Sequence, residues 1–545
     1  MLLAVALMVG VVGAAPVSDG PGSPARPESV EVLQLAQVPA AANANQPAAN
    51  QPAPGPDSFV VVAGYDAAFD RLAQEITAQL PKKKTLLVWV LDQSPGMEDD
   101  RDAIASRIDR LYQEVGKAPG AGPDDLMMGV VSYAAAPQKH TLKPTTKPQE
   151  VIAAIRAVKS DMSAEVVEKQ CDAIVASIEA FRTAAQAGGR QLTLVLATDE
   201  SGDAASNVKN LEATIKKAKE RKCIVHVLGN ETVFGYPYAH IVWNQSSTGA
   251  ASRVRLDRGP ETAQPEVLQT DGFRRREDLI PSGFGPYEQM RIASETGGIF
   301  FLLQNSDPKL AGRDAAKADT LPMDAEALRR YLPDLSSREK YVVERDKSKL
   351  RKALAKVVAD FNPYPAGGQA ARFEVNTGPL PLDPIPFKAA AGEQMTKAEQ
   401  VIRYLEKAQK ELEALAAERA QEPGPRWRAN YDLLYAQVVS YQARLREYGF
   451  ALAEFVKNPK NGPLSGGSRT IRGWYAVAVP DLADPTASQA LKDKADGLFR
   501  AIETEYPGTP WARWAKQELD RGYGIELRLG SDAQRGRAGI GAPKP

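Results

Sequence analysis

Two aspartates, each closing an apolar run, offer oxygen-ligand chemistry. Leu86 to Leu91 is uninterrupted and ends in Asp92, followed by Gln93, Ser94, Pro95, Gly96 and Met97. Leu192 to Ala197 ends in Thr198, Asp199 and Glu200. Carboxylates and hydroxyls suit hard divalent cations, and Mg²⁺ takes oxygen ligands while keeping several waters. Asp92 with Asp199 would also activate a metal-bound water, given an open coordination position and a substrate pocket. The sequence displays neither directly. The same residues have a plainer use. Asp and Ser cap helices well, and Glu98, Asp99 and Asp100 suit the first turn of a helix.

Positioning those side chains takes a sheet. Continuous apolar runs read as strands buried on both faces, as in parallel sheets. Such strands deliver residues to the crevice beyond their carboxyl ends. Further strand-like runs are Leu126 to Ala135 and Cys223 to Gly229. Helical spacing marks Tyr65 to Leu80, Glu98 to Lys117, Val166 to Ala184 and Asn207 to Arg221. The alternation predicts an α/β fold with a doubly wound, mostly parallel sheet and right-handed crossovers.

These motifs resemble the von Willebrand factor type A domain. That family's first strand ends Asp-x-Ser-x-Ser, and a later strand ends in Thr-Asp or a similar pair. Asp92 and Ser94 match the first motif, Gly96 stands at the third position, and Asp199 matches the later aspartate. The family's middle ligand is usually a threonine shortly before an Ala-Leu pair. By spacing to Ala173-Ile174 it corresponds to Glu168, with Ser163 the second candidate. Ile292 to Leu303 resembles the family's last helix and strand, so the likeness runs from Lys82 to Leu303. The resemblance implies a metal set of Asp92, Ser94, Glu168 and Asp199, taking Mg²⁺ (or Mn²⁺ or Ca²⁺) at a degenerate site. One hydroxyl is lost there and one carboxylate gained. It also implies capture of an acidic side chain from a partner protein.

The 545 residues divide into a signal peptide (1–15), a disordered Ala/Pro-rich linker (16–57) and an α/β domain (58–360) with an insertion (230–286). A second linker (361–393), a separate all-α helical domain (394–530) and a disordered tail (531–545) follow. The start is apolar and ends in small residues, as secretory signals do. Its basic n-region is missing, which fits loss of an upstream start codon. It is too short to span a bilayer comfortably, and no later run is longer and as apolar. The expectation is export to the periplasm, envelope or exterior, with no integral membrane segment after cleavage. In the helical domain, Thr396 to Arg419 and Trp427 to Val456 read as a hairpin. YPGTPWARWAKQEL, from Tyr506, resembles the second helix of a tetratricopeptide-type repeat.

Lysine plus arginine equal aspartate plus glutamate, at 68 each. That balance argues against a nucleic-acid binder. Cys171 and Cys223 read as buried free thiols, with no Cys/His cluster for zinc. His140, His226 and His240 belong to no nucleophile constellation, and no GxSxG, Walker or HExxH motif occurs. The sequence therefore points to an exported, non-enzymatic protein-binding component, an adhesion or scaffold protein with weak or absent metal dependence. The alternative is a metal-assisted hydrolase or envelope processing factor. Partner contacts are expected at the crevice edge, the C-terminal helices and the insertion. The insertion holds Tyr236, Tyr238, His240, Trp243 and the run beginning at Phe273, and its plainer role is a lid over core.

Overall fold

The computed structural model describes residues 58–162, 167–235, 239–244, 251–256, 258–276, 280–303, 323–362, 373–460 and 471–530. The expected signal peptide, first linker and tail lie outside these residues, as does Ser163.

The chain begins with β1 (Phe59–Val62), α1 (Tyr65–Gln79) and β2 (Thr85–Asp92), then a 3-10 turn, Pro95–Met97. Next come α2 (Glu98–Ala105), α3 (Ile108–Gly116), β3 (Leu126–Tyr133), β4 (Pro137–Lys139), α4 (Pro148–Arg156) and α5 (Gln170–Ala187). They lead to β5 (Gln191–Ala197), α6 (Ala204–Glu220), β6 (Ile224–Gly229), β7 (Ala239–Asn244), β8 (Ala251–Leu256), α7 (Tyr287–Thr296) and β9 (Phe300–Leu303). The remainder is α8 (Ala325–Leu328), α9 (Arg338–Lys347), α10 (Lys349–Asp360), α11 (Pro384–Glu413), α12 (Ala416–Gln421), α13 (Pro425–Lys457), β10 (Gly473–Val479), α14 (Pro485–Glu505), α15 (Pro510–Arg521) and β11 (Gly524–Gly530).

Seven strands form one sheet in the order β1-β9-β6-β5-β2-β3-β4. Every pairing is parallel except the short edge strand β4 against β3. All eight residues of β2 are buried. Leu86, Val88 and Val90 point to the face covered by α5, α6 and α7, and Leu87, Trp89 and Leu91 to the face covered by α1 to α4. The period-2 alternation of a strand thus feeds two cores. The expected α/β class holds. The edge strand β1, from the FVVV run, is an addition to the sequence reading.

The predicted helix over 98–117 is broken at Ser106-Arg107. Ser106 Oγ and Arg107 Nη1 both donate to the Ala103 carbonyl at 2.8 Å, so side chains hold the acceptor that a continuous helix would use. α11 begins at Pro384, within the expected linker 361–393. Asp383 caps it, accepting from the Ile385 N–H, and Pro384 sits at its first position. The helical region also contains a two-stranded antiparallel sheet, β10 with β11, which the helical pattern hid. α14 and α15 pack against each other across the short turn 506–509.

One core links the two halves. The residues behind Leu86, Val88 and Val90 are continuous with those of α11, α13 and α15. The described part of the insertion lies between them. Phe234 packs edge-on to Trp511 at 4.9 Å and to Trp514 at 5.8 Å. Arg426 on α13 donates to Glu261 and Glu266, each at 2.6 Å. Arg276 donates to Glu518 at 3.0 Å and lies 3.9 Å over the Trp514 ring. Residues 258–276 therefore cover the chain's own core. Phe273 also packs edge-on to Tyr448 of α13 at 5.6 Å, so these side chains of the segment face the chain's own helices. Tyr236 and Tyr238 lie outside the described residues, and β7 and β8, which carry His240 and Trp243, form a hairpin.

Candidate metal centre

β2 and β5 are neighbours in the sheet and run parallel, so their carboxyl ends meet at one rim. That register brings Asp92 and Asp199 together. Asp92 is fully buried and both its oxygens are engaged. Oδ1 accepts the Ser94 N–H at 2.7 Å and Oδ2 accepts the Thr198 hydroxyl at 2.6 Å. Ser94, also buried, donates its hydroxyl to Asp199 Oδ1 at 3.1 Å.

Glu168 sits in the loop before α5, whereas the sequence placed it inside a helix. Asp203 donates its N–H to the Glu168 carbonyl at 2.8 Å, and Lys169 donates to the Ala134 carbonyl at 3.0 Å. Gly202, at φ 77°, permits the close approach, since a Cβ there would lie 3.0 Å from that carbonyl. The Glu168 side chain is 6% exposed and its Oε2 has no hydrogen-bond partner. All four residues expected at the site thus share one rim.

Burial, then the charge of Asp199, pushes the Asp92 carboxyl up to about 7, against hydrogen bonds that favour its ionised form. Burial, then Asp92, Glu200 and Asp199, pushes Glu168 well above the usual carboxylate range. Both carboxyls are thereby biased towards their protonated forms. Tyr133, at the end of β3, is buried beside them, and its hydroxyl is driven well above its usual range by burial first and then by Asp92 and Glu168.

Sequence reasoning missed the groups that hold the rim. Arg101 is buried under the β2–α2 turn. It donates to the carbonyls of Asp92 (2.8 Å) and Ser94 (3.2 Å) and to the Ser160 hydroxyl (2.7 Å). On the other side, Gln289 of α7 donates to the Glu200 carbonyl at 2.6 Å and to Gln170 Oε1 at 3.0 Å. Gln170 in turn donates to the Ser201 carbonyl at 2.6 Å. No local motif signals these contacts, which join residues 7 to 119 positions apart.

The donor set is chemically hard, and three carboxylates would attract a divalent cation. Its arrangement does not fit one. Each Asp92 oxygen accepts a hydrogen bond from the protein, the Ser94 hydroxyl donates to Asp199, and Asp199 closes on Gly96. A Cβ at Gly96 would meet Asp199 Oδ2 at 2.5 Å, so the carboxylate takes the space that a side chain at position 96 would need. Among the described residues, no group of three or more His, Cys, Asp or Glu side chains is placed to hold a metal.

Both thiols are free and buried. His226 is buried in β6, where its Nδ1 accepts the Ile299 N–H at 3.1 Å. Ser132 Oγ lies 2.7 Å from His140 Nε2 and 3.0 Å from Gln93 Nε2, but it is fully buried. Among the described residues, no helix is long and apolar enough to cross a membrane.

No protein-family model and no curated protein matches the chain. Similar solved structures include proximal thread matrix protein 1 from the mussel byssus with a zinc-occupied MIDAS motif, at 18% identity and a TM-score of 0.22. It covers 28% of this chain and 36% of its own. A second crystal form of that protein gives 17%, 0.21, 28% and 36%. A point mutant of the PilB minor pilin from Streptococcus sanguinis is 12% identical, with a TM-score of 0.21, and covers 27% of this chain and 50% of its own. The chain thus spans about a third to a half of the length of these proteins.

Proposed function

We propose that this chain is an exported, non-enzymatic protein-binding component of adhesion or scaffold type, whose recognition edge is the rim after β2 and β5. The observation that carries this reading is the Ser94–Asp199 contact, which fixes two remote loops at one rim. Exposed Glu98 and Asp99 continue that edge into solvent. Divalent metal plays a weak part or none in this reading. Export rests on the apolar start of the sequence, and the tetratricopeptide-like character of α14 and α15 rests on the YPGTP motif. The hydrolase alternative is disfavoured because a metal-activated water needs an open metal position. Both Asp92 oxygens and the Ser94 hydroxyl already have protein partners.

The test is affinity capture from envelope extract with the full chain, compared with the Asp199→Arg and Ser94→Arg variants. A specific partner retained by the parent and lost by both variants supports the reading. A partner set that both folded variants retain unchanged rules the rim out. Turnover of a substrate, abolished by chelation, would favour the hydrolase instead.

A further inference from the structure

We propose that the Arg101 guanidinium is a resident cation that holds the acidic rim in shape, in the role a bound divalent ion would otherwise fill. Arg101 lies beneath the rim's acidic donors whether or not the rim binds a protein.

Arg101 is 4% exposed and makes three hydrogen bonds, to two carbonyls and a hydroxyl. None goes to a carboxylate. Taking a charge out of water is costly unless other charges offset it. Burial weakens its hold on the proton, and Asp92, Glu98, Asp100 and Asp199 oppose that through space without fully offsetting it. They include both aspartates of the rim. The planar fork suits the task, since one nitrogen bridges the carbonyls of Asp92 and Ser94 while the other reaches Ser160. Lysine has the charge but not the fork.

Fixing those two carbonyls fixes the turn between them. That turn aims the Ser94 N–H at Asp92 and the Ser94 hydroxyl at Asp199. A divalent ion would organise the same groups from the solvent side by direct ligation. Arg101 does so from beneath, through the backbone, and leaves the side-chain oxygens free to bond to one another. It is a positioning residue in this scheme, without contact to any ligand.

The experiment is thermal unfolding of the full chain in millimolar MgCl₂, against NaCl of equal ionic strength. The parent should unfold at the same midpoint in both. Arg101→Met should unfold earlier in NaCl, and Mg²⁺ should restore part of the loss, because the rim then lacks a cation. Arg101→Lys should also unfold earlier but gain nothing from Mg²⁺, because the charge remains. Adding Asp199→Asn to Arg101→Met should abolish the gain. If Arg101→Met does not yield folded protein, Arg101→Gln makes the same comparison, since it also lacks the charge. An equal gain from Mg²⁺ in the parent, or none in the uncharged variant, overturns the proposal.

Discussion

Gly96 faces the carboxylate of Asp199 so closely that a Cβ would stand 2.5 Å from Oδ2. The relationship explains why the rim bonds to itself: the space a third serine would need is filled by an acidic group. Installing the hydroxyls of an Asp-x-Ser-x-Ser pattern and a middle threonine, with Gly96→Ser and Glu168→Thr together, should displace Asp199 and open oxygen ligands. Calorimetry with Mn²⁺ should then give a saturable heat in the double variant and none in the parent. Equal heats in both would contradict this account.

Asp92 gives the pH dependence a definite sign. Its folded value, about 7, lies above its ordinary 3.8, so the folded state binds more protons across that interval. Its contribution is present below about pH 4 and is lost as pH rises towards about 7. Asp92→Asn keeps an acceptor for the Ser94 N–H but cannot titrate. Urea unfolding at several pH values should show a flatter stability profile over this interval in the variant. A profile parallel to that of the parent would remove Asp92 from the explanation.

His226 tilts the other way. Burial, with Arg71 a smaller influence, pushes its imidazole from 6.5 down to about 4. The neutral ring is the folded form, accepting the Ile299 N–H. Its contribution is full above about pH 6.5 and declines as pH falls towards about 4. His226→Gln retains an acceptor without the titration. The variant should lose less stability than the parent between pH 7 and pH 5, read by the same unfolding experiment.

Glu518 is the anchor of the joint between the halves. It accepts from Arg444 (2.5 Å), Arg276 (3.0 Å) and the Trp514 indole (3.1 Å), fully buried. Burial alone would raise its carboxyl, but Arg444, Arg521 and Arg276 outweigh burial and hold it below the usual range. Removing one partner of a buried ion pair costs roughly 3–5 kcal/mol. Glu518→Ala removes the carboxylate that three guanidinium groups share and should cost about that much in denaturant unfolding. A loss below about 1 kcal/mol would match an exposed pair and contradict the role.

Much of the α/β half was legible because its signals are local. The all-apolar run of β2 admits one reading, and the strand-end aspartates follow from it. Glu168 was found by its spacing to Ala173-Ile174, though α5 begins at Gln170 and leaves it in a loop. Arg101 was not legible. It stands in an acidic first turn, and only the fold shows that it bends back under Ser94. α11 was read too short because Pro384 and Pro386 suggested a linker, although Asp383 followed by proline is also a helix start. The insertion's aromatics and arginines carry the composition of an exposed contact surface. Composition alone does not tell a partner protein from the far half of the same chain.

The unbroken apolar interior has a practical corollary for dissecting this protein. A fragment stopping near residue 360 would keep the whole sheet yet strip the cover from Phe234, Arg276 and Glu266. Expressed without its C-terminal half, the sheet would present a greasy, charge-unbalanced flank and would be expected to aggregate. The C-terminal helices thus supply part of the sheet region's own cover, and the two segments belong in a single expression unit.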